Sequence, residues 1–79
     1  MMNGINWDEQ VQVRIFELGI KNYQVVEESV IKWDGISLAV AIRRCMRLSS
    51  DERARVSILA PSGNYDGREI EALYQRLPE

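Results

Sequence analysis

One cysteine, eight arginines, two lysines and no histidine are the side chains from which any chemistry in this 79-residue chain must be drawn. The missing histidine removes the commonest general base, the commonest metal ligand and the ordinary pH switch. Cys45 needs a base or a lowered pKa to act as a nucleophile, and its neighbours Arg43, Arg44 and Arg47 stay protonated and accept no proton. By helical spacing Cys45 shares a side with Leu38, Ala41, Ile42 and Leu48, which makes it a small core residue. A serine–lysine pair would avoid histidine, but no spacing ties Lys21 or Lys32 to Ser29, Ser57 or Ser62. Acidic pairs stand at Asp8/Glu9, Glu27/Glu28, Asp51/Glu52 and Glu69/Glu71, all in polar faces or turns without a metal-ligand or glycosidase context. The stretch from Ala60 to Gly67 follows a strand and precedes a helix, the topology that cradles anions. Its Gly63 and Gly67 are nevertheless followed by Arg68 and Glu69, where a phosphate loop needs Lys and Ser/Thr, so it reads as a turn. No catalytic residue, metal ligand, cofactor or small-molecule site is expected, and the chain reads as a non-enzymatic protein.

Charge carries more information. Residues 1–34 hold three basic and six acidic side chains, residues 66–79 two and four, whereas residues 43–55 hold five arginines against two acids. Arg43, Arg44, Arg47, Arg53 and Arg55 thus form a local cationic cluster in a chain of net charge −2. Guanidinium forks suit carboxylate or phosphate recognition, although such runs also pair internally, here with Glu27, Glu28, Glu69 or Glu71. On a helix over residues 36–48, Leu38, Ala41, Ile42, Cys45 and Leu48 form one apolar side, while Ile36 and Val40 fall on the other beside Arg43 and Arg47. A helix apolar nearly all round is covered twice, by another element of the chain or by another molecule. Ile36 and Val40 rimmed by Arg43, Arg44, Arg47, Arg53 and Arg55 have the composition of a protein interface. The expected function is a small interaction module, of a bacterial or phage type that size alone suggests, binding an acidic protein partner or a second copy as a homodimer. A nucleic-acid accessory role using the same arginines on phosphates is the alternative, disfavoured by the negative net charge and by the lack of aromatics among the arginines.

These side chains must be positioned by one small domain, 1–79, with 46% apolar and 28% charged residues and no repeat or linker. A single cysteine rules out an intrachain disulfide, no basic segment precedes an apolar run at the N-terminus, and the longest apolar stretch is far too short for a membrane. The cytoplasm, with no membrane partner, is the expected setting. From Gln10 to Leu18 apolar residues alternate at Val11, Val13 and Ile15, then switch parity at Phe16 and Leu18, as in a strand with a bulge or a buried end. A turn at Gly19–Asn22 and a β-rich run from Tyr23 to Trp33 complete a hairpin. Both runs also fit helices, the first through capping-box spacing of Asn6 and Glu9. Asp34 is the expected cap of the helix to Leu48. Ser49–Glu52 reads as a connection, Val56, Ile58 and Ala60 as the inward side of a third strand, and Pro61–Asn64 as a turn. Asp66 with Glu69 opens a last helix whose Ile70, Leu73 and Leu77 share a face, with Trp7 and Trp33 closing the ends of the core. The expected architecture is a two-layer α+β sandwich of order ββαβα, two helices on one face of a three-stranded sheet, with an all-α five-helix bundle as the alternative.

Overall fold

The computed structural model describes residues 5–78. The chain is α+β, in the order β1 (Gln10–Lys21), β2 (Gln24–Ser37), α1 (Leu38–Met46), α2 (Ser50–Arg53), β3 (Val56–Ala60), β4 (Gly63–Asp66) and α3 (Gly67–Tyr74). The strands form one antiparallel sheet of spatial order β2-β1-β3-β4. The five-helix alternative is overturned, because the two segments that also fitted helices pair with each other from Gln10/Ser37 to Lys21/Gln24. The expected three-stranded ββαβα order is corrected to four strands and three helices. The additions are β4, whose Gly63, Asn64 and Asp66 are weak strand formers, and the single turn α2, closed by a reciprocal Ser49–Glu52 capping box.

Register and burial divide the sheet into two faces, since side chains alternate along a strand and cross-strand partners share a side. On the inner face Val11, Val13 and Ile15 of β1 and Val56 and Ile58 of β3 are buried. They meet Leu38, Ala41, Ile42 and Cys45 of α1 and Ile70 and Leu73 of α3. The α1 quartet has i, i+3, i+4, i+7 spacing, and α3 lies against its flank, so an intrachain helix supplies much of the second cover this apolar helix needs. Trp7 and Trp33 pack at the edges of this core. The helix begins two residues later than expected. Its cap is Ser37, whose hydroxyl accepts from the Val40 amide, and Glu9 and Trp7 carbonyls accept from the Leu38 and Ala39 amides. Asp34 and Gly35 belong instead to β2, where the register skips Gly35, held at φ 67°, and again skips Lys32.

At its other end the sheet narrows. β3 reaches β1 only from Gln12 to Ile15, and beyond that level β1 and β2 continue alone as a two-stranded arm. The turn lies at Asn22 and Tyr23, both in the left-handed region with φ 51° and 63°, the backbone of a two-residue type I′ hairpin. It therefore falls later than the expected Gly19–Asn22. The arm draws the molecule out to 52 Å along an axis against 23 and 19 Å across.

Candidate functional site

The parity switch in β1 has a structural consequence. No bulge accompanies it: Ile15 pairs with Val30 and Phe16 with Ser29 in unbroken register. The apolar residues therefore cross from the covered face to the open one. Phe16, Leu18 and Ile20 of β1 point to the outer face together with Val25 and Ile31 of β2, partners of Ile20 and Arg14. All five are exposed, Leu18, Ile20 and Val25 by 73, 77 and 71%. Over the body of the sheet the same outer face carries Gln12, Arg14, Ser57, Asn64 and Asp66, with Leu59 half-buried. An antiparallel sheet with helices on one side keeps its other side polar. The body obeys this rule except at Ile31, opposite Arg14 at its margin, and beyond it the arm breaks the rule with Phe16, Leu18, Ile20 and Val25 turned outward.

The inner side of the arm is mixed: Val26, half-buried, and Val30, exposed, face inward opposite Gly19 and Ile15, among charged neighbours. Glu17 faces Glu28, and Lys21 reaches Glu28 at 3.6 Å. Tyr23 stands wholly exposed at the tip in a backbone region that a bulky side chain rarely occupies. At the root, Arg55 grips the arm through both backbone groups of one residue: its carbonyl accepts from the Phe16 amide at 3.0 Å, and its guanidinium donates to the Phe16 carbonyl at 3.0 Å.

The arginine cluster splits into two groups. Arg53 donates to the Met46 and Leu48 carbonyls at 3.1 and 3.0 Å, closing the C-terminus of α1, and its Nε lies 3.4 Å from Glu71. Arg55 pairs with Asp51 at 3.2 Å and anchors the arm. Both serve the fold through intrachain contacts. Arg43 and Arg44 on α1 and Arg47 at its C-cap stand exposed and form no ion pair with a described residue. Arg43 touches the Pro78 carbonyl at 3.4 Å, and Arg44 lies 5.6 Å over the Trp33 ring. Val40 is exposed beside them, as helical spacing placed it. Ile36 is not on the helix at all: it pairs with Val11 in β2 and is half-buried against the core. The expected apolar patch on α1 thus reduces to Val40.

Cys45 is fully buried, and burial pushes its thiol up from 9.0 to about 11 despite the opposing pull of Lys32. This is the environment of an inert packing residue, the opposite of an activated thiolate. At the turn tested for phosphate binding, the Asp66 carboxylate accepts from the Glu69 amide at 3.0 Å in a reciprocal capping box and so occupies the N-terminus of α3 itself. A shallow depression of about 440 Å³ beside it is lined by Ser50, Arg53, Arg68 and Glu71 and is crossed by the Arg53–Glu71 pair. Among the described residues no group of three or more Cys, Asp or Glu side chains is placed to hold a metal ion, and no helix is long and apolar enough to cross a membrane.

No family model, curated protein or solved structure matches the chain. The functional reading therefore rests on geometry alone. The arm's outer face is the feature that residue-by-residue reasoning missed, and the parity switch between Ile15 and Phe16 was its signal.

Proposed function

We propose that this protein is a non-enzymatic protein–protein interaction module whose principal contact surface is the outer face of the β1–β2 arm. The observation that carries this reading is the set of five apolar side chains exposed on one side of the β1–β2 hairpin, Ile31 at the margin of the body and Phe16, Leu18, Ile20 and Val25 past it. Contiguous apolar patches of a few hundred Å² on a domain surface are often functional. Large side chains on a stiff ribbon supply contact area with little ordering cost. The strained, exposed Tyr23 at the tip adds an aromatic of the type enriched at binding hot spots.

The exposed guanidiniums of Arg43, Arg44 and Arg47 beside Val40 support a second, weaker contact with an acidic protein surface. Phosphate binding by the same three is the less favoured reading. The arm carries Glu17, Glu27 and Glu28 against Lys21 alone between Phe16 and Ser29, which opposes a polyanion.

Capture from a host extract onto the immobilised full chain tests the arm. The double variant Leu18→Thr/Ile20→Thr is expected to lose the proteins retained by the wild type, further copies of the chain included. Retention of the same set would end the assignment. The triple variant Arg43→Glu/Arg44→Glu/Arg47→Glu tests the α1 face. Loss of a protein partner with shallow salt dependence supports it, and a steep logarithmic loss of nucleic acid with salt supports the alternative.

A further inference from the structure

We infer that the occupant of the arm's outer face is a second copy of the same arm, stacked face to face and base over tip about a twofold axis between the Phe16 and Leu18 levels. This rests on the arm being the contact surface, as proposed above. The pattern along the ribbon is self-complementary in that arrangement. Stacked sheets lie about 10 Å apart and strands within them about 4.8 Å apart. With the axis at that height, β1 covers its counterpart, so that Phe16 of each copy meets the partner's Leu18 and Ile20 lies along the stem of the partner's Arg14. Val25 in turn meets the partner's Ile31. Each apolar group finds apolar cover, with the aliphatic part of arginine completing it.

Charge fixes the same register. Arg14 and Glu27 share this outer face, Arg14 at the arm's base opposite Ile31 and Glu27 opposite Leu18 toward the tip. They are four residue levels apart, about 13 Å along the strand, too far for one chain to pair them. Neither forms an ion pair with a described residue; Arg14 is held by Gln12 at 2.6 Å and Ser29 at 3.4 Å. Reversing one arm over the other brings each Arg14 within side-chain reach of the other copy's Glu27, twice per pair. Sliding the axis to the Leu18 level would set Glu27 against Glu27, and a side-by-side union through the free edge of β2 meets the skipped Lys32, which twists that edge away.

The area is adequate for a reversible dimer. The five exposures together equal about three fully exposed apolar side chains, on the order of 300 Å² per arm by transfer values. Two arms with their polar neighbours reach roughly 1,000 Å², the lower bound of a specific interface, and a contact this small is expected to associate weakly, with a dissociation constant well above about 1 μM.

Sedimentation equilibrium of the full chain from about 1 μM to 1 mM tests this, on the wild type, Leu18→Thr/Ile20→Thr, Arg14→Glu, Glu27→Arg and the double exchange Arg14→Glu/Glu27→Arg, each checked for fold by circular dichroism. The wild type is expected to pass from monomer to dimer, and the threonine pair to stay monomeric. Each single charge reversal should weaken the dimer about tenfold, and the exchange should restore it to within about threefold. A wild type monomeric at 1 mM overturns the second copy, while an arm-dependent capture of other proteins would leave the broader reading standing. A dimer indifferent to the threonine pair overturns the arm as its interface. Failure of the exchange to restore what the single reversals lose overturns the base-over-tip register.

Discussion

Replacing Leu18 and Ile20 by threonine should leave the isolated monomer nearly as stable as before, although it deletes two large apolar side chains. Leu18 and Ile20 are 73 and 77% exposed, so about a quarter of each is removed from water on folding. Full burial of such a side chain stabilises by about 1.5–3 kcal/mol, and the lost quarter therefore amounts to about 0.5 kcal/mol per site, near 1 kcal/mol for the pair. Threonine, itself β-branched, suits a strand at both positions and adds no penalty of its own. Ile58, wholly buried under α1 and α3, supplies the contrast: the same change there leaves a cavity and an unpartnered hydroxyl and costs about 3 kcal/mol or more. Urea unfolding at about 1 μM, below the expected dimer range, measures all three proteins. Repeated at a few hundred micromolar, it should show the wild type gaining stability through mass action while the double variant does not. A loss above about 2 kcal/mol for the arm pair at low concentration would refute the reasoning, because it would mean that the outer face is already covered within the monomer.

Three further expectations follow from single positions. A methyl group at Gly67 would collide with the Arg53 carbonyl oxygen, a backbone atom, so Gly67→Ala should destabilise by roughly 2 kcal/mol in thermal or urea unfolding in spite of its better helix propensity. The Cys45 thiol, raised to about 11 from 9.0 in the fold, stays protonated in the native state while the unfolded chain ionises. This thiol therefore adds no pH dependence well below pH 9 and lowers stability by roughly 2–3 kcal/mol as pH climbs from 9 to 11; Cys45→Ala, at its own lower baseline, should lack that slope, and alkylation of the native thiol at pH 7.5 should be slow. Tyr23→Gly relieves a left-handed backbone at the tip and should raise the melting temperature of the monomer slightly, worth about 0.5–1 kcal/mol; a loss would show that the Tyr23 ring packs on the arm.

The body of the fold was legible wherever one residue type had one physical use. Val56, Ile58 and Ala60 alternate without interruption and form β3 as expected, and Asp66 with Glu69 closes the capping box that starts α3. Legibility failed where propensity was weak or a local signal was shared. Gly63, Asn64 and Asp66 look like a turn, and they pair as β4 only because Leu59 and Ser57 are beside them. The Asp34-Gly35 breaker resembles a helix cap, yet it is a strand irregularity, and the helix waits for Ser37. That displacement removed Ile36 from the α1 surface. At the candidate site, charge density marked five arginines alike, whereas Arg53 and Arg55 turn inward to carbonyls that only the tertiary fold brings near. The switch from Ile15 to Phe16 is visible in the sequence, and neither a bulge nor a buried end is its meaning: the apolar stripe itself changes sides.

The most direct test of the arm as the surface on which two copies of the chain meet is a methyl NMR concentration series on the full chain. If the account holds, the methyl signals of Leu18, Ile20, Val25 and Ile31 shift together as concentration rises from micromolar to millimolar, while those of Val40 and Leu59 keep their positions. Shifts confined to Val40, or arm methyls that stay fixed over the whole range, would contradict it.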